Sequence, residues 1–202
     1  MFTGIVTQVG RIKALQMQSN SMHLTIESDF LDLQLGESIA VDGICLTVSA
    51  IAPSQFCCQL SEETLVRSIA RDYQPNQLVN LERALTLQDR LGGHLLSGHV
   101  DGVLSVSEKK SQGQFCQFSF ADAPSQWMAL LVEKGSVAIN GVSLTVNTLG
   151  QDCFAVTLVP HTLAQTNLQA LSVGSRVNVE FDQLAKMVAR QVELQARALE
   201  ET

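Results

Sequence analysis

A run of eleven residues at 38–48 (SIAVDGICLTV) returns 98 positions later at 136–146 (SVAINGVSLTV), with six pairs identical and the other five close swaps. Unrelated sequence gives about one match in such a window, so the chain reads as one unit written twice. Phe56/Phe154, Leu60/Leu158, Thr64/Thr162, Asn80/Asn178 and Glu82/Glu180 keep the same offset, and the reading carries it without a gap to Gly4/Gly102 and Met1/His99. A unit this long exceeds the roughly 20 to 50 residues of solenoid repeats. Each half is therefore expected to bury a core of its own.

The unit is built from strands. Asp42-Gly43 and Asn140-Gly141 each join two β-branched runs, and such pairs favour a two-residue hairpin because both turn positions need positive φ. Around these hairpins, strands are expected at residues 2–9, 22–27, 56–60 and 78–82, and again at 100–106, 115–120, 153–159 and 176–181. About six short strands per half close best as a barrel, since closure removes the sheet edges. The expected fold class is all-β: two tandem six-stranded antiparallel Greek-key barrels with short helices and a C-terminal helix. The short helices are placed at 61–68, with Ser61 as N-cap, and at 124–132, with Pro124 in the first turn. The expected units are 1–97, 98–182 and a tail, 183–202, whose Leu184, Val188, Val192 and Leu199 share a helix face suited to oligomer contacts or to packing on its own barrel.

A net charge of −7 and a pI near 5.0, with no basic run longer than Lys109-Lys110, argue against nucleic acid and anionic membranes. A small-molecule partner is expected. No apolar run approaches the roughly 20 residues of a membrane span, and the opening residues lack a secretory signal, so a soluble cytoplasmic protein is expected. The five cysteines lack the spacing of a zinc site. Cys57, Cys58, Cys116 and Cys153 lie in apolar strand-like runs and read as small buried hydrophobes. His94 lies five residues before His99, a poor spacing for two ligands of one metal, so no metal site is assigned.

Chemistry belongs where the halves differ. At the 98-residue offset Cys45 faces Ser143, Met1 faces His99, Ala84 faces Asp182, Gly36 faces Lys134 and Glu63 faces His161. Two related pockets with unequal acid/base groups suit a reaction that treats two similar ligands unequally. Each group also has a plainer reading: Cys45 as a strand filler, His99 as a hydrogen-bonded structural histidine, Asp182 as a helix N-cap, Lys134 as a solvated turn residue.

The opening Met1-Phe2-Thr3-Gly4-Ile5-Val6, the block from Asp89-Arg90-Leu91-Gly92-Gly93-His94 to Ser97-Gly98-His99-Val100-Asp101-Gly102, and the doubled D/N-G-x-[CS]-L-T-V segments resemble the riboflavin synthase family, alpha-chain type. The resemblance runs to about Val192, with small departures at Ser68 and Asn76. It implies dismutation of two molecules of 6,7-dimethyl-8-ribityllumazine, one giving a four-carbon unit to the other, to yield riboflavin and 5-amino-6-(ribitylamino)uracil. It also implies a homotrimer with active sites between neighbouring subunits, association with lumazine synthase, and no metal or external cofactor. Within that frame Cys45, His99, Ser143 and Asp182 are the catalytic candidates, with Lys134 balancing ligand charge. Ring contacts fall to Gly4, Ile5 and Val6, to Cys45, Leu46 and Thr47, to Gly98, His99 and Val100, and to Ser143, Leu144 and Thr145. Phe2, Ser38, the run Gln59, Leu60, Ser61, Glu62, Glu63, Thr64 and its repeat Thr157, Leu158, Val159, Pro160, His161, Thr162 complete the implied pockets. The rival is an antenna-type relative that binds lumazine or flavin without turnover; a flavin reductase barrel would need a nucleotide-binding G-x-G-x-x-G that the chain lacks.

Overall fold

The computed structural model describes residues 1–200, the side chain of Glu200 excepted; Glu201 and Thr202, the end of the expected tail, lie outside the described residues. Two closed antiparallel barrels of six strands each follow one another. The first comprises β1 (Gln8–Gln18), β2 (Ser21–Glu27), β3 (Ser38–Val41), β4 (Ile44–Ala52), β5 (Gln55–Ser61) and β6 (Leu78–Arg83), with helix α1 (Glu62–Arg67) between the last two. The second comprises β7 (Gly102–Gln112), β8 (Phe115–Phe120), β9 (Ser136–Ile139), β10 (Val142–Leu149), β11 (Phe154–Leu158) and β12 (Arg176–Phe181), with α2 (Ser125–Met128) and α3 (Pro160–Gln165) inserted. Helix α4 (Gln183–Glu200) ends the description.

Strand alternation sends one side chain in two into each barrel. Ile44, Leu46 and Val48 of β4 point inward with Met22, Leu24 and Ile26 of β2, and Val142, Leu144 and Val146 of β10 do the same in the second barrel. Each aliphatic side chain so buried stabilises the fold by about 1.5–3 kcal/mol. The inward set leaves Cys45 and Thr47, and Ser143 and Thr145, on the outer wall.

The two hairpin turns adopt positive φ at both positions, Asp42 +46° with Gly43 +79° and Asn140 +45° with Gly141 +74°. They also meet head to head. A Cβ on Gly43 would lie 2.8 Å from the Gly141 nitrogen, and one on Gly141 would lie 2.6 Å from the Gly43 nitrogen. Glycine is therefore required twice over at the barrel junction. Side-chain amides lock the junction reciprocally: Asn80 donates to the Asn140 carbonyl at 2.9 Å and Asn178 to the Asp42 carbonyl at 2.8 Å.

Three expectations are corrected. The gapless offset fails at the start of each half. The bulge after Ile12 matches that after Val106, and Met22 pairs with Leu60 as Cys116 pairs with Leu158. The offset is thus 94 residues through β2 and 98 only from β3, because residues 122–133 replace the shorter 28–35 and bring in α2. Gly4 corresponds to Gly98, and His99 to Ile5 rather than to Met1. Secondly, residues 2–6 and 96–100 are straps lying outside the strands: Phe2 forms one isolated bridge with Leu96, and the barrel strands begin at Gln8 and Gly102. Thirdly, the helix expected at 124–132 spans only Ser125–Met128, with Pro124 as its N-cap. It tightens at once into i→i+3 bonds from Leu130 to Trp127 and Leu131 to Met128, while Trp127 covers Gly102 and packs edge-on to Phe181.

Candidate active site

Each strap crosses the mouth of the other half's barrel. The Cys45 N–H donates to the Gly98 carbonyl and the Ser143 N–H to the Gly4 carbonyl, both at 2.8 Å. A buried glutamate holds each strap in place. Glu82 accepts from the Thr3 N–H and hydroxyl at 2.7 Å and from the Gly4 N–H at 3.0 Å. Glu180 accepts from the Ser97 N–H and hydroxyl at 2.7 Å and from the Gly98 N–H at 3.0 Å. Burial pushes both carboxyl pKa values up, and these hydrogen bonds pull against it. The glycines permit the close crossing: a Cβ on Gly98 would fall 2.5 Å from the Cys45 Cβ, and one on Gly4 2.6 Å from the Ser143 Cβ.

At the first mouth Ile44, Cys45, Ser61, Glu63, Thr64, Arg67, Ser68, Gly98, His99 and Val100 line a cavity of about 350 Å³. Its floor is the outer wall of β4. Ser61 caps α1, accepting from the Thr64 N–H, and so fixes the acidic first turn beside the opening. An adjoining groove of about 540 Å³ shares Glu63, Arg67 and His99 and runs on to Ser97, Asp101 and Lys186. Seven of the candidates, Cys45, Ser61, Glu63, Thr64, Gly98, His99 and Val100, thus surround one cavity. Arg67, in the last turn of α1, joins them and was missed; its only sequence signal is its place one helical turn after Glu63.

The second mouth repeats this plan with other groups. Ser143 replaces Cys45, Gly4, Ile5 and Val6 replace Gly98, His99 and Val100, and α3 brings His161 and Thr162 where α1 has Glu63 and Thr64. Val159 stands in the Ser61 position, so α3 has no side-chain cap and starts instead with Pro160 in its first turn. Lys134, in the left-handed region at φ +66°, reaches the Asn147 carbonyl at 3.5 Å on the outer face of β10, the face that carries Ser143 and Thr145. Thr157 is hydrogen-bonded to the Asn147 side chain beside it.

Other candidates sit apart from the mouths. The side chains of Leu46, Leu60, Leu144 and Leu158 fill the barrel interiors, and Phe2 is buried between barrels with Leu96, Ala40 and Ala138, so backbone alone is available from these residues. Ser38 lies on the outer side of β3, opposite Thr47. Gln59 and Glu62 are exposed on β5 and α1. Asp182 caps α4, accepting from the Leu184 N–H at 2.9 Å, and of this group it alone acts on a mouth, through its charge on His94.

His94 belongs to this site and has no strand or helix spacing that could announce it. Its Nδ1 lies 2.7 Å from the Ser143 hydroxyl. Among the described residues no group of three His, Cys, Asp or Glu side chains could hold a metal, all five cysteines are free thiols, and no helix is long and apolar enough to cross a membrane.

Known proteins share this plan. Residues 3–84 and 97–182 each match the lumazine binding domain family. The chain is 42% identical over 205 residues to riboflavin synthase of Photobacterium leiognathi, across 100% of this chain and 94% of that one. It is 37% identical over 192 residues to riboflavin synthase of Bacillus subtilis strain 168, across 94% and 89% of the two chains. Among solved structures, LumP complexed with 6,7-dimethyl-8-(1'-D-ribityl) lumazine superposes with a TM-score of 0.79 at 25% identity, over 89% of this chain and 98% of that one. LumP complexed with riboflavin does so with a TM-score of 0.82 at 25% identity, over 90% and 99%.

Proposed function

The chain belongs to the riboflavin synthase family, enzymes built on a duplicated lumazine binding domain, and on that premise we propose that it converts two molecules of 6,7-dimethyl-8-ribityllumazine into riboflavin and 5-amino-6-(ribitylamino)uracil. The carrying observation is the pair of strapped mouths, alike in backbone and unlike in reactive groups. Two identical reactants need two similar pockets, and one must give a four-carbon unit while the other takes it.

The 7-methyl protons of the lumazine are acidic, because the conjugate base delocalises into the ring system. A mild base is enough to remove one, and that task falls to His99, whose imidazole is exposed at the rim of the first cavity. Cys45 and Ser143, at equivalent strap crossings, meet the two rings. The Val6 and Val100 N–H groups, the strap donors left without a partner among the described residues, face ring carbonyls, and Thr64 and Thr162 face ribityl hydroxyls. Holding both rings in register supplies much of the acceleration. Lys134 offsets charge at the second mouth.

Assembly as a homotrimer, pairing a first mouth with a second mouth of the next subunit, is part of the proposal. Helix α4 supports it: Leu184, Met187, Val188, Val192 and Leu199 are all more than half exposed in the single chain, while the Lys186–Asp101 ion pair at 2.7 Å anchors only the helix start. An exposed apolar stripe of this kind is covered by another chain more often than by water. Association of that trimer with lumazine synthase, which would supply the substrate directly, is the outermost element of the proposal.

Purified protein given the lumazine alone should release riboflavin and the aminouracil in equal amounts, without metal, nucleotide or oxidant. Tight lumazine binding with no release of riboflavin would replace this reading with an antenna-type one, a role that the likeness to LumP keeps in view.

A further inference from the structure

Ser143 has a partner that Cys45 lacks. His94 is 8% exposed, and the Ser143 hydroxyl lies 2.7 Å from its Nδ1. Beside it Gly93 presses on the same serine: a Cβ there would sit 2.7 Å from the Ser143 Cβ, 2.9 Å from its Oγ and 2.2 Å from the Thr3 carbonyl. The segment is pinned by the His94 N–H donating to that carbonyl at 3.1 Å. Two glycines, Gly4 and Gly93, thus close on Ser143, whereas Gly98 alone closes on Cys45, whose thiol makes no hydrogen bond among the described residues.

The other ring nitrogen is the informative atom. His94 Nε2 is buried with no hydrogen-bond partner. Burial holds the imidazole below its ordinary pKa, and the Asp182 carboxylate, the one charged group that acts on it, pulls the other way. The ring is therefore neutral at pH 7 and carries one proton. The Ser143 hydroxyl has no other partner among the described residues, so only an unprotonated Nδ1 gives its O–H an acceptor. The proton belongs on Nε2, and Nδ1 is left as an acceptor.

We propose that His94 is a positioning residue for the second mouth: its Nδ1 accepts the Ser143 O–H while Nε2 carries the ring proton, so that Ser143 presents oxygen lone pairs to the bound lumazine. The second mouth then offers a hydrogen-bond acceptor where the first offers a thiol. This inference rests on the lumazine reading for its ligand, but not for its geometry.

Two measurements test it. In ¹⁵N-histidine-labelled protein without ligand, His94 should report the neutral Nε2–H tautomer, and Ser143→Ala should shift its Nδ1 resonance. An Nδ1–H tautomer, or a His94 spectrum indifferent to Ser143→Ala, overturns the proposal even if the protein makes riboflavin. In turnover, His94→Ala should lower kcat by about 100-fold with KM changed less than about threefold, the scale on which a misplaced contact group slows the chemical step. His94→Asn, whose side-chain oxygen can stand in for Nδ1, should recover about tenfold of that while losing the acidic limb of the pH profile. In a Ser143→Ala background the His94→Ala effect should shrink to under about twofold; equal losses in both backgrounds would show a structural role and sink the idea. Failure of the parent protein to release riboflavin would count against the proposed function alone, since the tautomer measurement needs no turnover.

Discussion

The two mouths share a backbone and differ in chemistry. At the first, a thiol, an exposed histidine and an arginine surround a cavity of about 350 Å³ with an acidic helix turn at its rim. At the second, a serine is backed by a buried histidine, and the strap residue corresponding to His99 is Ile5. The duplicated parts are those that set shape: hairpin, strap, glutamate cradle and closing glycine. The parts that differ are those that handle protons. A scaffold of this kind can bind one ligand twice and still assign each copy a different fate.

Breaking the asymmetry should therefore damage turnover far more than folding. Cys45→Ala and Asp182→Ala, the latter restoring the alanine that the first half carries at Ala84, are each expected to lower turnover by about 100-fold or more. Melting temperatures should stay within a few degrees of the parent, because both side chains sit outside the barrel cores. Parallel loss of thermal stability and activity would instead assign structural roles. A smaller effect, about 10- to 100-fold, is expected for His99→Gln, together with a changed pH dependence; an unchanged pH profile would remove His99 from proton transfer.

How much of this could be read beforehand depended on whether the cause was local. Asp42-Gly43 and Asn140-Gly141 announce their hairpins because the turn itself demands residues that tolerate positive φ, and Ser61 announces α1 because its hydroxyl caps that helix. The straps do not announce themselves: residues 2–6 and 96–100 have the apolar content of strands, and only the opposite barrel decides that they cross a mouth. The register shift was hidden for a related reason. Similarity is strongest in β3 and β4, and extending their offset backward steps over the longer segment that contains α2. Spacing brings His94 into view only as a metal ligand, since its partner Ser143 is 49 positions away and no spacing rule connects them. Glu82 and Glu180 were visible as a matched pair, but their task required the straps to be seen first.

Asp42 tests the comparison through stability. It is fully buried, accepting from the Asn80 N–H, the Asn167 amide and the Tyr73 hydroxyl, whereas its counterpart is the neutral Asn140. Burial raises its pKa from 3.8 to about 7 against those hydrogen bonds. Over the interval between these values the folded protein holds a proton that the unfolded chain has released. The stabilisation from this group is complete below the unfolded value, declines as pH rises from about 4, and is gone above about 7. Asp42→Asn should flatten this part of the stability profile and leave the variant more stable than the parent at pH 8 by roughly 1–3 kcal/mol. Urea unfolding from pH 4 to 8 reads both; a parent profile flat over that range would mean that Asp42 stays ionised in the fold.

The smallest expected effect is a difference between halves that should nearly vanish. Glu82 and Glu180 make the same three hydrogen bonds to their straps, in the same lengths. Replacing either by Gln turns one acceptor oxygen into a donor facing a backbone N–H, which should cost about 1–3 kcal/mol of stability. If the duplication preserved the scaffold, Glu82→Gln and Glu180→Gln will match to within about 0.5 kcal/mol, the usual scale of context differences between independent sites. Ligand binding should still separate them, because each glutamate serves the mouth of the other barrel: Glu180→Gln loosens the strap over Cys45, and Glu82→Gln the strap over Ser143. Fluorescence titration with the lumazine should then weaken different sites in the two variants. Unequal stabilities with identical binding defects would mean that the straps are not equivalent, and that the pockets differ in scaffold as well as in chemistry.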